Sequence, residues 1–179
     1  MNYQDILEFW FNPENQPNWF AKSNNFDVLI EKKFKDIHQA ASQAELWQWR
    51  TNAEGRLAEI IVLDQFSRNL FRDSGLAFAQ DALALALAQE AIAQGLDLQL
   101  SPEQRSFLYM PFMHSESTKI HQSALKLFEQ LGNPINLEFE KKHKVIIDRF
   151  GRYPHRNVVL GRTSTAEELE FLTQPNSSF

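Results

Sequence analysis

Phe26, Ile30, Phe34, Ile37 and Ala41 recur at steps of four and three, with lysines and acids between them. Among regular structures, only a helix puts such residues on a single apolar side. The same period returns along most of the chain, and no run alternates apolar with polar residues between hairpin turns, so the fold class is all-α.

Turn and cap residues divide the chain into helices. Residues 3–11 form a first helix closed by Asn12 and Pro13, and Trp19 with Phe20 is expected to plug the next loop onto the body. Thr51 and Glu54 make a capping-box pattern for a helix to about residue 71. An Ala- and Leu-rich helix follows over about residues 77–94 and stops at Gly95. Ser101, Pro102 and Gln104 start another, which Pro111 should end or kink. Gly132 and Gly151 close the helices that carry Leu127 and Ile146, and Thr165 with Glu168 caps a short last helix. Residues 174–179 should fray.

The 179 residues fit one domain spanning 1–179, and 43% hydrophobic with 23% charged residues excludes a disordered chain. The absence of cysteine removes disulfides, thiolate nucleophiles and Cys-type zinc sites. A net charge of -5 speaks against general nucleic-acid binding. On this reading no apolar run approaches the roughly 18 residues of a membrane helix, and the N-terminus lacks a basic, apolar leader, so a cytoplasmic protein without membrane contact is expected. The charge is uneven: between Lys141 and Arg162 seven Lys and Arg face Asp148 alone.

Three polar constellations stand out. On a helical wheel at about 100 degrees per residue, Asp64 and Arg68 fall in the middle of the apolar face marked by Leu57, Ile60 and Ile61, with Asn69 beside them. The plain reading is an i to i+4 ion pair that satisfies itself; on an apolar face, however, charges must be paired or cost several kcal/mol. His114 and Glu116 lie past Pro111, either as the cap of one helix and the start of the next or as convergent groups in a turn. His143 sits in the stripe of Phe139, Ile146 and Phe150, where a core histidine with one hydrogen bond is the ordinary case. The loop that follows carries Arg152, His155, Arg156 and Arg162, three guanidinium groups that need a negative partner from the chain or from a ligand.

These motifs, Asp64-Gln65-Phe66-Ser67-Arg68-Asn69, Met110 through Glu116, and His143 with Arg149 through Asn157 and Leu160-Gly161-Arg162, together resemble the bacterial family catalogued as domain of unknown function nine-two-four, over nearly the whole chain. The resemblance implies antiparallel helical hairpins in a tetratricopeptide-like right-handed superhelix and carries no activity with it. The residues themselves suggest a binding module first, with Asp64, Arg68, Asn69, His114, Glu116, His143, Arg152, His155, Arg156 and Arg162 lining a polar pocket for a small anion or an acidic peptide. A scaffold whose polar network only stabilises the fold is the alternative. A hydrolase using His114, Glu116 and His143, with or without a divalent metal, is a third reading; no cofactor is expected.

Overall fold

Helices begin where a short polar side chain can accept the first-turn N–H groups. In the computed structural model, which describes residues 1–178, Asn2 caps α1 (Tyr3–Trp10) and Ser23 caps α2 (Asn24–Ser42). The cap of α3 (Ala53–Ile61) is Asn52, which accepts from the Gly55 N–H at 2.8 Å. The expected cap, Thr51, instead ends a 3-10 turn, Trp47–Thr51. A π-helical turn (Val62–Phe66) and α4 (Ser67–Leu70) continue the same rod. Then come α5 (Asp81–Ala93), α6 (Pro102–Met113), α7 (Thr118–Leu131), α8 (Pro134–Phe150) and α9 (Ala166–Phe171), with no strand among the described residues. The start expected near residue 77 is a separate 3-10 turn, Gly75–Phe78, so α5 opens on Asp81.

Pro111 does not end α6. The helix runs two residues further, and the His114 N–H still reaches the Met110 carbonyl at 3.0 Å. Only one N–H is missing, and burial of Met110, Pro111, Phe112 and Met113 holds the turn in place. His114 therefore caps α6 directly.

The core is aromatic at the N-terminal end. Trp10 is fully buried, its ring 5.6 Å from those of both Phe66 and Phe107. Trp19 closes the first loop as expected, donating to the Trp10 carbonyl at 2.9 Å and standing edge-on to Phe107. Phe20 joins it from outside, 76% exposed but with its ring stacked on Phe107 at 6.3 Å. Behind this cluster α3 packs on α1, α5 and α6, and α6 on α7 on α8. A second, smaller cluster of Ile146, Ile147 and Tyr153, with Phe150 and Phe171 against it, ties α8 to the C-terminal loop and α9. Of the tail, Ser177 is buried and donates to the Leu172 carbonyl at 3.2 Å; Phe179 lies outside the described residues.

The segment Gly75–Ala93 corrects the expectation about apolar runs, since by length and a mean hydropathy of 1.3 it could cross a membrane. Its inner face, Ala84, Leu87, Ala88 and Ala91, packs into the main core, and Asp81 within it is engaged by two arginines. Those are the contacts of a helix in a folded domain.

One glycine sets how closely α3 meets the preceding turn. A Cβ on Gly55 would lie 2.0 Å from the Trp49 carbonyl oxygen. Gly55→Ala should therefore cost about 1–3 kcal/mol in denaturant unfolding, although alanine is the better helix former by about 1 kcal/mol.

Candidate functional site

The π-helical turn admits one residue more than an α-turn and so re-aims the side chains around it. Asp64 lies within that turn and is fully buried. Its Oδ1 is 2.7 Å from His114 Nδ1, and its Oδ2 accepts from Gln65 Nε2 at 2.6 Å. Arg68, one turn later, donates through Nη1 to the Asp64 carbonyl at 2.9 Å and lies 3.5 Å from Oδ1. Its fork closes on Asp81 at the start of α5, at 2.7 and 3.0 Å.

The C-terminal loop reaches the same place from the other side. Gly151 ends α8 in the left-handed region (φ 67°), and a 3-10 turn, Pro154–Arg156, points Arg156 back at the helices. Arg156 Nη1 donates to Asp81 at 3.3 Å and Nη2 to the His114 carbonyl at 3.1 Å. Its guanidinium is held between the rings of Phe78 (4.3 Å) and Tyr153 (4.6 Å), a cation–π sandwich. Glu116 takes both arms of Arg162 at 2.6 and 2.9 Å and the Tyr153 N–H at 2.7 Å. Arg162 also donates to the Asn157 side chain and the Tyr153 carbonyl.

Asp64, Arg68, His114 and Arg156 thus form one connected set through Asp81, and Glu116 with Arg162 forms a second joined to it at Tyr153. Four expected members stand outside these bonded sets, Asn69 and Arg152 at a distance and His143 and His155 against the Tyr153 ring. Asn69 donates to Asp27 of α2, which also holds Arg72. Arg152 grips Glu168 of α9 at 2.7 and 2.8 Å. His143 places Nδ1 2.7 Å from the Phe139 carbonyl and its ring edge-on to Tyr153. His155 packs against Tyr153, with Nδ1 buried and without a hydrogen bond among the described residues.

Asp81 and Tyr153 were missed, yet each left a signal. Asp81 is the only charged residue between Gly75 and Gln89, and a lone charge opening an apolar helix asks for a partner. Tyr153 sits inside the basic loop; fully buried, it donates to the Met113 carbonyl and touches His121, whose other nitrogen meets the buried Glu140 at 2.8 Å. Ser67 is no nucleophile. It gives its proton to the Leu63 carbonyl and meets buried His38 only through its oxygen.

The electrostatics follow from burial and pairing. Burial pushes the Asp64 carboxyl upward, but the charges of His114 and Arg68 outweigh it and hold the acid well below its usual range. Desolvation is also opposed at Glu116, where Arg162 and the Tyr153 N–H keep the carboxyl low. Burial raises Glu140 and lowers Arg156. It pushes His143 down to about 3 and His155 to about 4. Among the described residues no three His, Asp or Glu side chains converge as a metal ion would require. Surface depressions lie away from this set. One of about 450 Å³ lies between α5 and α7, floored by Ile92, Phe112 and Leu127 with Lys126 on its rim; one of about 370 Å³ lies between α1 and α2.

A family model described as "Bacterial protein of unknown function (DUF924)" matches residues 6–176. A solved structure of a protein of unknown function from Agrobacterium tumefaciens is similar over 95% of this chain and 96% of its own, at 40% identity and a TM-score of 0.89. No curated protein matches.

Proposed function

The chain belongs to the bacterial family of unknown function DUF924, and we propose that it is a helical interaction scaffold whose polar motifs act as an internal latch. One observation carries this reading: the loop guanidiniums at Arg152, Arg156 and Arg162 each have a carboxylate of the same chain, in Glu168, Asp81 and Glu116. Two of those pairs are bidentate. The positive charge that pointed to a ligand anion is therefore met internally. In this reading the residues form one domain, and short connections between α6, α7 and α8, each packed on the next, favour hairpins stacked in a tetratricopeptide-like right-handed superhelix. Partners would meet the faces outside the latch, among them the apolar groove between α5 and α7.

A double-mutant cycle tests the latch. Arg162→Met and Glu116→Gln should each destabilise, with a coupling of about 1 kcal/mol because the pair is bidentate but still partly exposed, at 24% and 26%. Calorimetric titration with inorganic phosphate should give no saturable heat. A second reading, a small-anion site in the same place, draws on Arg156 Nε and His155 Nδ1, which are buried without partners among the described residues. Saturable phosphate binding that Arg156→Met abolishes would favour it over the latch.

A further inference from the structure

His114 joins two features seldom found in a purely structural histidine. Its Nδ1 is fixed 2.7 Å from a fully buried carboxylate, Asp64. Its Nε2 makes no hydrogen bond among the described residues, and the side chain is 17% exposed. The other histidines differ. His38 spends Nε2 on Ser67, His121 has both nitrogens engaged, and His143 and His155 are pressed into the Tyr153 cluster.

An ionised carboxylate only accepts hydrogen bonds, so Asp64 keeps the imidazole proton on Nδ1 and turns the Nε2 lone pair outward. This is the carboxylate–imidazole half of a hydrolytic triad. The carboxylate stands on a π-helical turn, a distortion frequent at functional sites. We propose that His114 is a general base that activates water against small, neutral acyl esters, with Asp64 as its positioning residue. Neutral substrates fit because the nearby cations Arg68 and Arg156 are balanced by Asp64 and Asp81, leaving no excess charge to hold a phosphate dianion.

In the reaction a water molecule gives a proton to Nε2 while its oxygen bonds to the ester carbonyl carbon, and the C=O electron pair moves onto the carbonyl oxygen. The tetrahedral intermediate collapses as the bond to the alkoxy oxygen breaks. The proton on Nε2 passes to that leaving oxygen, giving acid and alcohol and restoring the neutral imidazole.

The test is hydrolysis of p-nitrophenyl acetate by the full chain. The expected rate is saturable, at least about 100-fold above free imidazole at equal concentration, and rises with pH through a single deprotonation. His114→Gln should return it to background. Asp64→Asn should lower kcat at least about tenfold with KM unchanged and distort the pH profile, because the amide can donate to Nδ1 and drive the proton to Nε2. If that variant does not fold, ¹⁵N NMR of the wild-type imidazole must place the proton on Nδ1. A rate no greater than that of imidazole, full activity in His114→Gln, or a proton on Nε2 would overturn the proposal. Phosphate titration bears on the latch alone, so the two ideas can fail separately.

Discussion

Arg68→Met should lower the stability of the protein by about 3–5 kcal/mol, the range for breaking a buried ion pair from one side. For a chain of this size that corresponds to roughly 6–20 °C in Tm. The size comes from what is left behind. Asp64 is fully buried and loses the cation beside it, and the Asp64 and Ala77 carbonyls lose an N–H donor. Asp81 keeps only the longer 3.3 Å contact to Arg156. Methionine fills much of the aliphatic stem's space, so the loss reports on charge and hydrogen bonding more than on a cavity. Replacing Asp64 and Arg68 together by Leu and Met should recover part of the loss, since no isolated charge then remains on that face. Thermal unfolding followed by circular dichroism measures both. Full retention of Tm in Arg68→Met would contradict the latch.

The sequence showed that these two charges belong together inside, because a wheel needs only local spacing. It could not show the π-helical turn, whose extra residue leaves no mark on an apolar stripe, nor the partner from α5, which depends on how distant helices pack. Asn69 illustrates the same limit. Adjacent in sequence to Arg68, it faces the other way and bonds Asp27 in α2. Helix ends were more legible. Ser101, Pro102 and Gln104 form the expected capping box, and Gly132 and Gly151 adopt the expected left-handed stops. In each case the chemistry that decides lies within four residues. The local rules fail at Pro111, where burial on both sides of the break overrode the proline, at Thr51, whose place as cap Asn52 takes, and near residue 77, where a 3-10 turn precedes α5.

Acidification should destabilise the protein from a pH at which no ordinary carboxylate titrates. His143 and His155 are neutral in the fold, pushed from 6.5 to about 3 and about 4 by burial first, with Phe139 opposing at His143 and Arg156 adding to the effect at His155. In the unfolded chain both take up protons near 6.5. As the pH falls below that value the unfolded state binds protons that the native state refuses. Each group then costs up to about 1.4 kcal/mol per pH unit. Buried His38, also lowered by desolvation, acts with the same sign. Glu140 acts against it, because its raised carboxyl favours the native state on the acid side. Asp64 and Glu116, held low in the fold, add their own loss only once the pH drops below the ordinary carboxylate range. The net expectation is a decline of about 3–5 kcal/mol between pH 6.5 and 4.5, measured by denaturant unfolding. His143→Gln with His155→Gln should lower stability at pH 7.5 and flatten that slope. A wild-type protein equally stable at pH 7.5 and 4.5 would mean that both rings admit water and protons, and the Tyr153 cluster would then be an open site, not the sealed base of a latch.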